Sequence, residues 1–291
     1  MNDVSLSTQC AKPRKLILPL PNRDTADNPI RCGVIGNPIE HSQSPIIHQD
    51  FAKQFDIKLD YQKHLLTQEK LKSFIEDFFE QGGKGLNVTL PFKKEVIAIC
   101  KHISKEAKFC QSVNTLYLNE KNEICGETTD GKGLLEDLKS KAFEVKNKQI
   151  LIVGSGGATT SILYALLKAS AKITLHNRTQ SKIEKIKENF SDINSDINIY
   201  SEDKNQVFDG RTFDGIITAT SQFNSDILSP LLKNTHSDTF IYDLNYKERA
   251  DETLNFFKDN GIKRCSDGYG MLIAQAAKSF EVWHGVLPKI I

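Results

Sequence analysis

Gln149-Ile150-Leu151-Ile152-Val153-Gly154-Ser155-Gly156-Gly157-Ala158 decides how this chain folds. Four aliphatic residues in a row, Ile150 to Val153, suit a parallel strand covered on both faces, which has no solvent side to demand alternation. Glycines follow at once, and 157–169 then reads as a helix. A strand, a glycine turn and a helix in that order present backbone N–H groups at a helix N-terminus, where an anion is favoured. Gly154, Gly156 and Gly157 let the main chain come close to a pyrophosphate, although Thr159 stands where the usual dinucleotide fingerprint has Gly or Ala.

Downstream the pattern predicts a strand over 172–176, a helix over 180–190, strands over 214–219 and 239–243, a helix over 250–260 and a short strand near 262–265. Strands and helices alternating at this spacing predict a doubly wound parallel sheet. The last helix, about 270–285, is amphipathic and carries Gln275 and Trp283. Just past the second strand of this unit stand Asn177, Arg178 and Thr179. A unit that binds NAD places Asp or Glu about 20 residues after the glycines to hold the ribose 2′-OH. Here Arg178 occupies that place, with Lys182 one helical turn on. A carboxylate repels a 2′-phosphate and a guanidinium grips it with two hydrogen bonds, so the residues point to NADP.

Upstream, alternating signals begin at Arg31. Cys32–Gly36 reads as a short buried strand ending in a glycine turn, and Ser44-Pro45 as a helix start, with serine as cap and proline in the first turn. A strand is predicted near 60–66 and a helix over 67–81, with Leu71, Phe74, Ile75, Phe78 and Phe79 on one face. A strand over 86–90 is stopped by Pro91, and a helix near 93–101 and strands near 114–118 and 124–128 follow. A helix near 133–141 bridges to the second unit. The expected division is a mobile leader over 1–29, polar and rich in proline; a discontinuous first domain of 30–131 plus 267–291; and a Rossmann-like domain of 132–266.

The first half is polar where a hydroxylated acid would need it. Ser42 and Ser44 lie near a helix N-terminus, which suits a carboxylate. Asn87 and Thr89 share one face of their strand, and Lys93 follows near its carboxyl end, where open α/β sheets bind ligands. Asn114 lies in Ser112-Val113-Asn114-Thr115, and Asp130 in Thr128-Thr129-Asp130-Gly131, where the chain leaves the first domain. Taken singly, Ser44 reads as a helix cap and Asp130 as a turn residue.

With 39% hydrophobic and 26% charged residues among 291, the composition is that of an ordinary globular protein of about two domains. A net charge of +1 gives no electrostatic reason to expect nucleic acid or an anionic membrane as partner. No apolar run approaches the roughly 20 residues that span a bilayer. Cys10, Cys32, Cys100, Cys110, Cys125 and Cys265 form no C-x-x-C pair, and read as small thiols in a reducing compartment. The seven histidines show no ligand spacing, so no metal site is expected.

Taken together, GNPIEHSQSP, GGKGLNVTLPFKK, SVNT, TTDGKG, GSGGAT, NRT, ATS, YDLNY and DGYGMLIAQA resemble the blocks of the shikimate dehydrogenase family, in its order, from about residue 31 to the end. The resemblance implies a two-domain α/β enzyme whose last helix returns to the substrate domain, and cytoplasmic reduction of 3-dehydroshikimate to shikimate by NADPH in aromatic amino-acid biosynthesis. It implies a monomer or homodimer acting on a small molecule, with no nucleic acid or membrane partner. It assigns Ser42, Ser44, Asn87, Thr89, Asn114, Tyr246 and Gln275 to the substrate, and Lys93 with Asp130 to catalysis. It assigns Gly154, Ser155, Gly156, Gly157, Ala158, Asn177, Arg178, Thr179, Lys182, Ala219, Thr220, Ser221 and Gly268 to NADP(H).

Two positions depart from the family pattern: Thr128 replaces a usual asparagine, and Gln222-Phe223-Asn224 replaces a Gly-Met-like loop beside the nicotinamide. Hydride arriving at a ketone carbon leaves negative charge on the oxygen. A free lysine is protonated at neutral pH, so Lys93 is the natural proton donor, with Asp130 to hold it. The resemblance also implies a cleft between the two domains. A relative that also oxidises quinate or prefers NAD, and a non-catalytic NADP-binding protein, are the competing readings.

Overall fold

The computed structural model describes residues 28–191, 193, 198–199, 211–220 and 222–290, so the leader lies outside it apart from Asn28 and Pro29. The described residues form two units. One takes the chain up to Thr129 and again from Ile273; the other runs from Asp130 to Leu272. Asp130 therefore opens the second unit, where the sequence predicts a boundary after 131.

The first unit holds six strands: β1 (Ile30–Gly36), β2 (Leu59–Leu65), β3 (Gly85–Val88), β4 (His102–Ile103), β5 (Thr115–Leu118) and β6 (Ile124–Glu127). Their order is β2-β1-β3-β5-β6-β4. β1 runs parallel to β2 and β3, while β5 is antiparallel to both β3 and β6. β3 is shorter than predicted. Beyond Val88 the chain stays hydrogen-bonded to the β1 side, with Thr89 N donating to Ile35 O at 3.0 Å, before a turn at Leu90-Pro91, and Pro91 has no N–H to extend a ladder.

The helix predicted near 93–101 is a single 3-10 turn, Glu95–Ala98, and α3 (Lys105–Cys110) follows unannounced. The Ser104 hydroxyl caps α3 by accepting from Ala107 N at 3.1 Å. α1 (Ser44–Lys53) starts at the predicted serine and proline, but Ser44 does not cap it. Instead, Ser42 Oγ accepts from Ser44 N at 3.3 Å. α2 (Gln68–Glu80) buries Leu71, Ile75, Phe78 and Phe79 against Ile35, Leu86, Val88 and Phe92. The far part of α9 (Tyr269–His284) belongs to this unit, and its Trp283 Nε1 donates to Leu116 O at 3.1 Å.

His48 on α1 and His284 on α9 sit inside this core, 0% and 2% exposed. His48 stacks on Tyr61 with centroids 4.5 Å apart, and His284 packs 4.2 Å from Phe280. Burial, followed by the nearby His284, pushes the pKa of His48 from 6.5 down to about 3, with Asn87 pulling weakly the other way. Burial, followed by Lys84, pushes that of His284 from 6.5 down to about 4. Both rings are neutral in the folded protein at pH 7. Below pH about 6.5 the unfolded chain takes up protons that the folded core refuses, so stability falls as pH falls from there towards about 4. The urea midpoint should drop across this window in the wild type and drop less steeply in His48→Leu. Equal slopes would show that His48 contributes nothing to the acid sensitivity.

The second unit contains α4 (Asp130–Ser140), β7 (Gln149–Val153), α5 (Gly157–Lys168), β8 (Lys172–His176), α6 (Gln180–Phe190), β9 (Asn198–Ile199), β10 (Gly215–Thr218), α7 (Ser225–Leu228), β11 (Phe240–Asp243), α8 (Glu248–Asp259) and β12 (Arg264–Ser266). The sheet is parallel throughout, in the order β12-β11-β10-β7-β8-β9. Strand order reverses at β7, between β8 and β10, and this is the switch point at which doubly wound sheets bind ligands. α7 and the 3-10 turn after it, Ser229–Asn234, add to the elements that the sequence pattern predicts. Leu151, Val153, Ile216 and Ile241 pack with Phe213, Leu231 and Phe257 in the core. Asp137, buried on α4, accepts from Tyr242 Oη at 2.6 Å and pairs with Lys141 Nζ at 2.7 Å, which satisfies an otherwise costly carboxylate. Among the described cysteines, Cys32, Cys100, Cys110 and Cys125 are buried free thiols and Cys265 is half-buried.

Candidate active site

In the first unit, buried polar groups are joined into one network. Asn87, 6% exposed on β3, accepts at Oδ1 from Tyr61 Oη at 2.7 Å. Its Nδ2 donates to Asn114 O at 3.1 Å and to Ser279 Oγ at 3.0 Å. The Asn87 amide is thus engaged within the protein, rather than turned outward beside Thr89. Asn114 Oδ1 accepts from Thr129 N and from Thr115 Oγ1, both at 2.9 Å, and its Nδ2 donates to Thr129 Oγ1 at 2.9 Å and to Gln275 Oε1 at 3.0 Å. Ser279 Oγ lies 2.7 Å from Thr115 Oγ1. Buried polar groups this fully paired hold one arrangement, because any displacement leaves a donor or acceptor unsatisfied.

Asn87, Asn114 and Gln275 are therefore brought together, by way of Tyr61, Thr115, Thr129 and Ser279, which sequence reasoning did not single out. Ser279 carried a readable signal: it lies four residues after Gln275 on one helix, hence on the same face. Tyr61 shared the inward face of β2 with Leu59. Ser42 and Ser44 form a pair at the start of α1, with Ser42 Oγ donating to Ser44 Oγ at 3.2 Å. The Ser44 side chain also faces the Tyr61 phenol, whose pKa burial raises well above the ordinary value. Thr89 is half-buried and packs over Gly36.

Lys93 lies in neither a strand nor a helix but in the turn after Pro91. The turn is pinned on both sides of it: Phe92 is 1% exposed in the core, and Lys93 O accepts from Val113 N at 2.8 Å. The lysine itself is half-buried, whereas Lys94 is exposed. Asp130 is the first residue of α4, 5% exposed, and not the turn residue that its isolated reading predicts. It follows Thr129 directly, and Asn114 fixes Thr129 from both its N–H and its hydroxyl. Thr128 is fully buried.

In the second unit the glycine turn has the expected form. Gly154 has φ +119°, and a Cβ there would come 2.8 Å from Ala219 O, so both its conformation and the close approach of β10 require glycine. Around Gly156 and Gly157 a Cβ would meet nothing within 4 Å. Gly156 is the N-cap of α5 and no side chain caps it. Uncapped helix N–H groups facing open space fit a pyrophosphate. Ser155 is half-buried and Ala158 exposed at this end. Thr159, the departure from the fingerprint, is fully buried, and its hydroxyl is satisfied by Gly154 O at 3.0 Å.

Past β8, Asn177 Nδ2 donates to Thr179 O at 3.0 Å and shapes the loop that carries Arg178. Lys182 N donates to Thr179 O at 3.3 Å as α6 begins, and Arg178, Thr179 and Lys182 are all exposed. No acidic residue stands in this loop to accept a ribose 2′-OH, and two cations fit a 2′-phosphate. Ala219 and Thr220 follow β10, Tyr246 follows β11 and Gly268 follows β12, while Ser221 lies outside the described residues. Burial raises the pKa of Tyr246, with Arg249 opposing it. Among the described residues no cluster of three or more His, Cys, Asp or Glu side chains could hold a metal ion, and no helix is long and apolar enough to cross a membrane.

Comparison with known proteins gives two family models. One, described as the shikimate dehydrogenase substrate binding domain, matches residues 34–116. The other, described as shikimate / quinate 5-dehydrogenase, matches residues 137–246. Among solved structures, shikimate dehydrogenase from Aquifex aeolicus is 31% identical with a TM-score of 0.77, over 91% of this chain and 96% of that one. Shikimate 5-dehydrogenase from Thermus thermophilus, solved in complex with NADP(H) and shikimate, is 27% identical with a TM-score of 0.77, over 89% of this chain and 95% of that one. An Ael1 enzyme from Pseudomonas putida is 29% identical with a TM-score of 0.79, over 89% of this chain and 95% of that one.

Proposed function

Because the chain belongs to the shikimate dehydrogenase family, we propose that it catalyses the reversible reduction of 3-dehydroshikimate to shikimate with NADP(H), as a step of aromatic biosynthesis. The observation that carries the cofactor half of this reading is the uncapped N-terminus of α5 over open glycines, with Arg178 and Lys182 where an acidic residue would select NAD. When bound, NADPH supplies the hydride.

The protein's own residues do the rest. Ser42 and Ser44 offer hydroxyls for the substrate carboxylate at the positive end of α1. Gln275, whose Oε1 accepts from Asn114 Nδ2, is assigned to a ring hydroxyl. Asn87, Asn114, Thr129 and Ser279 hold that amide in place, and Thr89 and Tyr246 complete the substrate set. Lys93 donates its proton to the oxygen as negative charge develops there, and in the oxidation direction neutral Lys93 takes the proton from the C–OH. Asp130 is assigned the role of orienting Lys93. The enzyme works as a monomer or homodimer in the cytoplasm.

A spectrophotometric assay tests the reading. Shikimate with NADP should give NADPH, at a kcat/KM well above that with quinate or with NAD. Equal or better turnover of quinate and NAD would move the chain to the broader quinate-oxidising relatives. No activity with any pair would leave only an NADP-binding protein.

A further inference from the structure

Three loops at the carboxyl end of the second unit's sheet converge on a side chain given no role so far, Asn245. β10 runs into Ala219-Thr220, β11 into Leu244-Asn245-Tyr246, and β12 into Asp267-Gly268. Asn245 Nδ2 donates to Thr220 O at 2.8 Å and to Asp243 Oδ1 at 2.9 Å. Asn245 N donates to the same Oδ1 at 2.9 Å, and Asn245 O accepts from Gly268 N at 2.8 Å. One residue thus holds the loops after all three strands.

The clamp has little slack. Asp243 is 1% exposed, its Oδ2 has no hydrogen-bond partner among the described residues and its Oδ1 accepts from both the N–H and the amide of Asn245, so losing the amide would remove one of the few hydrogen bonds to a buried carboxyl. Leu244 N donates to Thr218 O at 2.9 Å, which fixes where the β11 loop begins. A Cβ on Gly268 would come 2.5 Å from Leu244 O, so the third loop packs directly on the second. The sheet order divides the dinucleotide site in two. The glycine turn and Arg178 follow β7 and β8, whereas these loops follow β10, β11 and β12, across the switch point.

We propose that Asn245 is the positioning residue for the nicotinamide end of the cofactor site, holding the 219–220 and 267–268 loops in register with Tyr246. The inference rests on the reading of this unit as an NADP site. It requires that Asn245 act on one half of the dinucleotide and not on the other.

Calorimetry with NADP+ and with adenosine 2′,5′-bisphosphate, which lacks the nicotinamide half, separates the two. In Asn245→Ala, NADP+ should bind about 10-fold more weakly and the bisphosphate within about 2-fold of wild type, while kcat falls by about 10-fold or more and KM for shikimate changes little. Asn245→Asp keeps the size, removes the donor to Thr220 O and sets a second carboxylate against Asp243. It should show the same split if the alanine variant proves unstable. Unchanged NADP+ binding and kcat in either folded variant would overturn the proposal. So would equal losses for both ligands in the two variants, which would mark Asn245 as scaffold only. Wild-type protein that binds neither ligand would sink the NADP reading itself, an outcome distinct from both.

Discussion

Replacing Lys93 by alanine should lower kcat for shikimate oxidation by roughly 10²–10⁴-fold while KM for shikimate changes little. The expected size is that of losing a positioned acid–base group. The expected pattern follows from where the ammonium matters. It is needed most when charge develops on oxygen, and the ground-state substrate has other partners, the serine pair for its carboxylate and the Gln275 amide for a ring hydroxyl. The fold should survive the change. The turn is held by Phe92 in the core and by the hydrogen bond from Val113 N to Lys93 O, neither of which involves the lysine side chain. The melting temperature of the variant should therefore stay close to that of the wild type, and a small primary amine added to the buffer should restore part of the lost turnover. A raised KM with kcat intact would make Lys93 a binding residue and end the proton-transfer role. Lys94→Ala, next along the chain and exposed, should leave both constants near wild type.

The two units were not equally legible in the sequence. In the second unit a strand such as Ile150–Val153 is covered on both faces, so its apolar run stands out. The predicted strands and helices there match the observed ones to within two residues at most ends. In the first unit the sequence predicts a helix near 93–101. Packing around Phe92 instead allows one 3-10 turn, since tertiary contacts outweigh a short local pattern. β4 has two residues and β9 two, too few for any periodicity to register. At the site, a lone Asn87 or Gln275 carries no readable role. Their association came only through a family resemblance across many blocks. Thr129 stayed invisible because a buried hydroxyl is defined by its partners, and its partner Asn114 lies 15 residues away; Ser279 was legible only through its spacing from Gln275, since its partner Asn87 lies 192 residues away. Asn245 stayed invisible for the same reason, its reach to Thr220 and Gly268 being a product of sheet order rather than of spacing.

Arg178→Asp should cut kcat/KM with NADP by on the order of 10²-fold and spare, or modestly improve, turnover with NAD. Arg178 is exposed, and an ordinary surface ion pair would be worth little. Two features make the effect larger here. A guanidinium can meet a phosphate with two charge-assisted hydrogen bonds, and its loop is already shaped, by the bond from Asn177 Nδ2 to Thr179 O, before any ligand arrives. The substitution also puts a carboxylate where the 2′-phosphate would sit, so repulsion adds to the lost attraction, while the same carboxylate can accept from the free 2′-OH of NAD. Lys182, one turn along α6, keeps part of the attraction, and Arg178→Asp with Lys182→Ala should therefore switch preference further than either change alone. Because the contact is exposed, the loss with NADP should shrink as salt is raised, whereas a loss caused by a distorted loop would not. Steady-state kinetics with both cofactors at low and high salt decide the matter. Equal losses with NADP and NAD, insensitive to salt, would show that Arg178 supports the loop and does not read the phosphate.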